Sequence, residues 1–338
     1  MTPSRIARRT RRFLTFSTIT ERPGSLSAVG VAPEVTFGTP VAATNFLPDM
    51  SCNIEPDPGW FSPGVMQGVR DKQIYNMYGE AKFTGPIEGP VFPSMGIPIL
   101  AAAVGTDVVT GTTAPYTHTI SQANTLKSLT VEKNIGGFQS LQFAGCRVGK
   151  LTLKCPTGDQ AATMTADITG RAVAVLDSPT AISTVNESPY QFAEGTLTAF
   201  TNIRAEATNI SIDIDNGLKS TYTFSGQHGP NFITPVTLTV NGSFDVVWDS
   251  LDDSTYGDFT KMENGTLGAL NFTLAHATAP NYSVAITCPQ IVINKYKNDL
   301  KLTDVVMSTL NFEATRPLTG GSQYTIQAVV TNGISAAY

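Results

Sequence analysis

The sequence is short of charge. Charged residues make up 14% of the chain, against roughly 25% in typical soluble domains. It also has no apolar run as long as a transmembrane helix requires, so no membrane-spanning helix is expected. Threonine, serine and alanine are plentiful instead. This composition fits a protein whose surface is largely covered by neighbouring subunits, and a β-rich extracellular protein shares it.

Residues that could bind a metal are few and scattered. The three histidines have no partner at ligand spacing, so we expect no metal site and no cofactor. They are His118, His228 and His276. The four cysteines form no Cys-x-x-Cys pair and are predicted to be small buried hydrophobic residues. They are Cys52, Cys146, Cys155 and Cys288. A bridge between Cys146 and Cys155 stays open, although it is unexpected in a reducing cytoplasm.

The motifs that mark common enzyme sites are also missing. There is no Gly-x-Ser-x-Gly elbow, no Walker-type phosphate loop and no His-Glu-x-x-His helix. Two acidic clusters, residues 213–217 and 249–253, lack the terminal glutamate of a calcium-binding loop. We interpret them as turn and helix-cap residues. The sequence therefore predicts a protein without catalytic activity.

Positive charge is concentrated at the N-terminus. The first twelve residues contain no acid and five arginines, namely Arg5, Arg8, Arg9, Arg11 and Arg12. The residues that follow do not form the apolar run of a secretory signal. We predict a basic arm over residues 1–27. It either docks on a neighbouring subunit through Arg8, Arg9, Arg11 and Arg12 or remains solvated.

The clearest secondary-structure pattern lies between residues 115 and 154. It comprises PYTHTI (115–120), SLTVEKNIGGF (128–138) and AGCRVGKLTLK (144–154). Apolar and polar residues alternate with a period of two, and Asn134 to Gly137 supply a reversal. Val148 is out of phase with Leu151, which predicts a β-bulge at Gly149. The pattern indicates a meander of antiparallel strands with one solvent-exposed face.

Residue spacing predicts an internal duplication. The matched pairs include Ile54 with Ile212, Gly85 with Gly242, and Cys146 with Cys288. Their separations are 158, 157 and 142 residues, so the first copy carries roughly fifteen more residues, which a loop accommodates most easily. We place them in the connection at residues 105–114. Chance similarity between two β-rich segments is the alternative.

Each half is expected to contain one short helix. The first candidate lies within residues 93–104, where Pro98 is tolerated only in the first turn and Gly105 ends the helix. The second lies within residues 248–262, with Asp252, Asp253 and Ser254 as possible N-caps for a helix over residues 255–261. In each half, the helix covers one face of a β-sandwich.

The strands described above resemble those of the tail tube (major tail) proteins of bacteriophages with long, non-contractile tails. Two further blocks are similar to the same family, APEVTFGTP (32–40) and the pair SPYQFAEGTLT (188–198) with NISIDIDNGL (209–218). The resemblance implies an all-β fold with minor α content, built from two tandem β-sandwich or barrel domains of tail-tube type. The predicted domains are residues 28–177 and 190–338, joined by a linker at 178–189.

The resemblance also implies a function. Such proteins form rings with sixfold or pseudo-sixfold symmetry, stacked around a channel for DNA ejection. A duplicated subunit closes a ring with three copies and a single-domain subunit with six, through strand edges that pair across subunits. The implied partners are other copies of the chain, tail proteins at the tube ends, the tape measure protein and, transiently, double-stranded DNA. No membrane is implied. The implied location is the virion tail, assembled in the host cytoplasm.

Two groups of residues are expected to serve the tube. Long loops near residues 55–78 and 216–235 resemble, by position, the loops that touch the next ring, and we assign this contact to Trp60, Phe61, Phe224 and Phe232. The alternative is that these aromatic side chains fold back on their own sandwich. Glu132, Asp167 and Asp245 are the candidates for acids that face the lumen and repel DNA phosphates.

A secreted or cell-surface β-sandwich that binds a ligand such as a carbohydrate is the rival interpretation. It predicts a monomer or a small closed oligomer. Its exposed aromatic residues would form a ligand platform rather than a contact between rings.

Overall fold

The computed structural model describes residues 23–338, apart from residues 65, 67, 69, 72, 74, 249–255, 278–280, 301–304 and 322. The arginines of the predicted basic arm and the proposed N-caps Asp252, Asp253 and Ser254 lie outside the described residues. The described chain is built mainly from antiparallel strands with two short α-helices, which confirms the all-β prediction.

Strands of the first half extend from residue 28 to residue 176. They are β1 (Ala28–Pro33), β2 (Asn45–Leu47), β3 (Ser51–Cys52), β4 (Glu55–Asp57), β5 (Lys82–Pro90), β6 (Gly105–Thr110), β7 (Tyr116–Gln122), β8 (Leu129–Ile135), β9 (Gln139–Pro156), β10 (Thr163–Gly170) and β11 (Ala172–Leu176). Helix α1 (Ile97–Val104) precedes β6.

Strands of the second half extend from residue 195 to residue 332. They are β12 (Gly195–Ala199), β13 (Asn202–Ile203), β14 (Ala207–Asp215), β15 (Leu218–Thr221), β16 (Phe232–Pro235), β17 (Thr239–Val247), β18 (Leu267–Ala275), β19 (Ser283–Asp299), β20 (Met307–Ala314) and β21 (Gln327–Asn332). Helix α2 (Asp258–Glu263) precedes β18.

Both halves use the same strand order. In the first half, β3 and β4 pair with β5, which is followed across the sheet by β10, β9, β8 and β1. In the second half, β14 pairs with β17, which is followed by β20, β19, β18 and β12. This repeated order supports the internal duplication that residue spacing predicts.

The two halves share sheets and a core. Strand β14 pairs with the C-terminal part of β9, and β21 pairs with β7. One buried apolar cluster includes residues of both halves, such as Leu151 and Ile214 on the paired strands β9 and β14. Residues 178–189 contain no helix or strand. The division into domains at this segment stays a prediction.

The additional residues of the first half include a hairpin. Strands β6 and β7 lie between α1 and β8, whereas α2 of the second half leads directly into β18. The predicted insertion at residues 105–114 falls within this hairpin. Because β7 pairs with β6 and β21, while β8 pairs with β1 and β9, the predicted meander is wrong at its first step. Residues 129–132 of β8 are also buried on both faces.

The structure confirms the bulge at Gly149. The pairing of β10 with β9 shifts between the pairs Asp167–Lys150 and Ile168–Val148, which leaves Gly149 as the extra residue. A bulge of this kind restores the inward phase of the apolar side chains and bends the strand. Strand β9 therefore continues for 18 residues and contributes to the pairing of both halves.

Helix α1 follows its sequence signals. Pro98 lies in the first turn, where its missing N–H donor is not needed, and the backbone at Gly105 has a φ of 148°, which ends the helix. All eight helical residues are buried, so α1 is a core element between strands. Helix α2 differs from its prediction, because it begins at Asp258, directly after Gly257, whose backbone is left-handed at a φ of 54°.

A buried ion pair attaches α2 to the sheet. The guanidinium of Arg204 donates two hydrogen bonds to the carboxylate of Asp258, at 3.0 and 2.7 Å, and one to Glu206 at 2.5 Å. Burial by itself lowers the pKa of Arg204, but hydrogen bonds to Asp258 and its charge outweigh this and raise the pKa. The pairing thus keeps a buried cation charged.

All four cysteines are free and buried, so no bridge joins Cys146 and Cys155. Burial raises the pKa of Cys155 to about 11 and that of Cys288 to about 12, from an ordinary value of 9.0. In the unfolded chain, these thiols lose their protons near the ordinary value. The folded state retains them to a higher pH.

Stability is therefore expected to fall as the pH rises from about 9 towards 11–12, because the unfolded state then binds fewer protons than the folded state. Each thiol contributes at most about 1.4 kcal/mol per pH unit. Urea unfolding between about pH 8 and 10 measures this slope, and Cys288→Ala should make it shallower. An identical slope for the variant would contradict the assignment to the buried thiol.

Candidate assembly site

One face of the joined sheet is open to solvent. The face crosses β5, β10, β9, β14, β17, β20 and β19, and side chains that alternate along each strand point either to this face or to the core. Small polar residues such as Thr152, Thr165, Ser211 and Ser243 are only partly buried there. Their neighbours along the strands, for example Leu151, are buried. We call this surface the polar face.

Acids outnumber basic residues on the polar face. The acids are Glu88, Asp167, Asp213, Asp215, Asp245 and Glu313. The basic residues are Lys82, Arg147, Lys150, Lys154, Lys295 and Lys297, and β4 continues the face beyond β5 with the further acids Glu55 and Asp57. This excess of negative charge gives the surface the sign that repels a nucleic-acid backbone.

Two of the three predicted lumen acids lie on the polar face. Asp167 is exposed on β10. Asp245 is partly buried on β17, where its carboxylate accepts hydrogen bonds from Thr309 at 2.7 Å and from Asn209 at 3.1 Å. These bonds hold the carboxylate in place across three strands.

Glu132 does not lie on the polar face. It is fully buried on β8, and its carboxylate accepts hydrogen bonds from the hydroxyl of Ser140 at 2.9 Å and from the hydroxyl and N–H of Thr180 at 2.7 and 2.9 Å. The alternation of apolar and polar residues in β8 does not predict that Glu132 is buried, because both faces of this strand are covered. Its role is to fix the segment after β11, so we withdraw it from the lumen candidates.

The junction of the two halves contains charged contacts across strands. Asp213 on β14 accepts a hydrogen bond from Thr152 of β9 at 2.5 Å, and its other oxygen lies 3.5 Å from the Lys150 ammonium. A neighbouring acid, Asp215, accepts the N–H of Gly217 at 2.8 Å. The acidic run at residues 213–217 therefore serves strand pairing and a turn.

The loops carry exposed aromatic side chains. Trp60, Phe61 and Phe232 are 57%, 50% and 59% exposed, and Phe224 is fully exposed. The Trp60 and Tyr78 rings are nearly perpendicular, with 5.1 Å between ring centroids. Half or more of the surface of each of the four predicted contact residues is therefore exposed in the single chain.

The two loops also touch each other. The N–H of Ala81 donates to the carbonyl of His228 at 2.8 Å, and Nδ1 of His228 donates to the carbonyl of Gly79 at 3.0 Å. The His228 ring packs edge-on against Tyr78, with 4.2 Å between centroids. The loop of the second half therefore reaches the base of the loop of the first half, and the ring contacts from Trp60 through Tyr78 to His228 connect the two loops into one surface.

The remaining histidines have structural partners. His118 is buried between the Asp107 carboxylate at 2.9 Å and the Ile334 carbonyl at 2.8 Å, and His276 lies 2.6 Å from Glu194. Within the described part of the chain, no cluster of three or more His, Cys, Asp or Glu side chains could hold a metal ion. No helix in the same part is both long and apolar enough to cross a membrane.

These features describe an antiparallel β-protein with a solvent-exposed, acid-rich sheet face and exposed aromatic residues in its loops. A family model described as phage tail tube protein matches residues 24–327, and the chain belongs to this family. A search of the curated proteins found no match. The chain is thus a non-enzymatic structural subunit of the virion tail that assembles with itself and other tail components. The family match favours this class over the cell-surface binding module.

Proposed function

We propose that three copies of this chain close into a ring, and that the rings stack into a tube through which DNA passes during ejection. The repeated strand order carries this proposal. The two halves have equivalent sheets that already pair edge to edge, through β9 and β14. One chain therefore resembles two adjacent units of a pseudo-sixfold ring, and three chains supply six units.

The polar face is the surface that we assign to the channel. Its apolar opposite side packs against the core of the same chain, so only the polar side is left to face water in a closed ring. Asp167 and Asp245 are the lumen acids in this arrangement. An excess of negative charge repels the DNA phosphates and prevents the binding that lysine-rich surfaces gain through counterion release. The tape measure protein occupies this channel before ejection, and other tail proteins cap the tube ends.

The connected loop surface is the contact that we assign to the next ring. Trp60, Phe61, Phe224 and Phe232 become buried there when rings stack, because exposed aromatic residues are typical of interface cores. The basic arm, with Arg8, Arg9, Arg11 and Arg12, complements the acidic remainder of a neighbouring subunit.

Negative-stain electron microscopy of the purified chain over a concentration series tests this function. We expect stacked rings or hollow tubes of uniform bore at high concentration. The variant Phe224→Ser should fold with unchanged thermal stability, since its ring is fully exposed, yet give shorter stacks than the parent chain. Monomers at every concentration, without rings after prolonged incubation, would contradict the proposal.

A further inference from the structure

Among the strands that the structure describes, the joined sheet has two edges with no further strand beside them. We define the acidic edge as the outer side of residues 51–57, which include β3 and β4, and the lysine edge as the outer side of residues 293–299 of β19. Among the described strands, β3 and β4 pair with β5 alone, and residues 293–299 pair with β20 alone. An open edge exposes backbone donors and acceptors that can pair with another chain.

The pairing of β9 with β14 within one chain shows how two such edges can join. In the repeated strand order, β14 corresponds to β3 and β4, and the C-terminal part of β9 corresponds to that of β19. We propose that the lysine edge of one copy pairs with the acidic edge of the next copy, in the antiparallel register that joins β9 to β14. This inference rests on the ring proposed above and names the strands that close it.

To place the lysine edge in this register, we identify which residue of β19 corresponds to Thr152 of β9. Residues that lie opposite each other on neighbouring strands give this correspondence. The two equivalent rows are Thr152–Thr165–Glu88 and Lys297–Thr309–Asp245. Glu88 precedes Asp245 by 157 residues, the separation that Gly85 and Gly242 also show. Lys297 is therefore the counterpart of Thr152.

The register on the acidic side follows in the same way. Asp213 lies opposite Asn241 on β17, and Glu55 lies opposite Thr84 on β5. Glu55 precedes Asp213 by 158 residues, and Thr84 precedes Asn241 by 157 residues. Glu55 is therefore the counterpart of Asp213. Because Asp213 lies opposite Thr152, Lys297 of one copy lies opposite Glu55 of the next. Two residues along each strand, Lys295 lies opposite Asp57.

This register brings opposite charges together. Glu55, Asp57, Lys295 and Lys297 are all exposed, and in this register each of the two acids lies opposite one of the two lysines. Opposite charges placed across neighbouring strands stabilise pairing, whereas like charges oppose it. The acidic edge therefore pairs with the lysine edge and not with another acidic edge, which is the head-to-tail contact that a closed ring needs.

The backbone of the acidic edge limits indiscriminate pairing. Asn53 donates its N–H to the carbonyl of Pro86 at 2.9 Å, so the alternate residues Cys52, Ile54 and Pro56 direct their backbone groups outward. Pro56 has no N–H, and the outer edge therefore lacks one donor of the full ladder. Because one backbone donor is missing, pairing at the acidic edge depends on the charge match more strongly than the pairing of β14 with β9 does. This dependence protects the free subunit from aggregation.

Disulfide trapping tests the register. In this arrangement, residues 55 and 297 form a non-hydrogen-bonded pair with Cα atoms about 4.5 Å apart, within the range for a disulfide. The double variant Glu55→Cys/Lys297→Cys should form covalent oligomers after mild oxidation of assembled rings. The control Ser51→Cys/Lys297→Cys places the thiols roughly 13 Å further apart along the strand and should form at least tenfold fewer. Equal cross-linking of both variants, or none in assembled rings, would overturn the register.

A charge exchange gives a second readout that does not need a disulfide. Glu55→Lys alone should raise the concentration for half-maximal assembly about tenfold, because two cations then oppose each other. Adding Lys297→Glu should bring it back to within about twofold of the parent chain. A single reversal without effect, or a double exchange no better than the single, would contradict the pairing. If the parent chain forms tubes but both tests fail, only the edge assignment falls; if it forms no rings, the proposed function falls.

Discussion

Replacing Gly242 by alanine should lower the free energy of unfolding by about 3 kcal/mol, near the upper end for overpacking a core. Gly242 lies in β17 between β14 and β20. A Cβ atom there would lie 2.4 Å from Cζ of Phe312 and 2.4 Å from the carbonyl oxygen of Ser211. The backbone of a paired strand cannot move away without breaking the ladder, so the strain falls on both neighbours.

Chemical unfolding of the variant and the parent chain measures the loss. Ser243→Ala is the matched control, because Ser243 is the next residue and points to the polar face; we expect a change below about 0.5 kcal/mol for it. Equal stability of Gly242→Ala and the parent chain would show that the strands do not approach as closely as the structure has them.

Replacing Asp258 by alanine should cost about 3–5 kcal/mol, the range for removing one partner of a buried ion pair. The Arg204 side chain is 1% exposed, and without the carboxylate its cation keeps only the contact with Glu206 among the bonds described above. The loss should detach α2 from the sheet before the rest of the core unfolds.

Urea unfolding, followed by far-ultraviolet circular dichroism and by hydrogen exchange of α2, tests this expectation. Glu263→Ala is the control, since Glu263 is an exposed residue of the same helix and its loss should change stability by less than about 0.5 kcal/mol. A loss for Asp258→Ala as small as that of the control would mean that the ion pair does not anchor the helix.

Local signals predicted much of the fold. Helix α1, the end of that helix at Gly105 and the bulge at Gly149 each follow from a proline, a glycine or a break in alternation within a few residues. The duplication also shows in the sequence, because close backbone approach requires glycine at equivalent places, Gly85 and Gly242. Such constraints act between neighbours in the chain or recur at equivalent positions of the two halves.

Long-range pairing could not be predicted in the same way. The alternation of residues 115–120 identifies a strand, but it does not say that this strand pairs with β21, about 200 residues later in the sequence. Glu132 lies on a strand with charged neighbours, yet the fold covers both of its faces. The Arg204–Asp258 pair joins residues 54 positions apart, and no periodic pattern in the sequence indicates it.

The assembly residues fall between these cases. Exposed aromatic residues in loops rich in proline and glycine could be predicted as a surface from composition. The charged edges could not, although each shows acids or lysines two positions apart, at Glu55 and Asp57 and at Lys295 and Lys297. That spacing becomes informative only when the strand order shows which edges are open.

The number of chains in one ring tests the central claim most directly. Native mass spectrometry of single rings, obtained at low concentration from the variant Phe224→Ser, should give the mass of three 35.9-kDa chains, and class averages should show threefold symmetry with six similar lobes. Rings of six chains would contradict the claim that each half of this duplicated subunit occupies one position of a pseudo-sixfold ring.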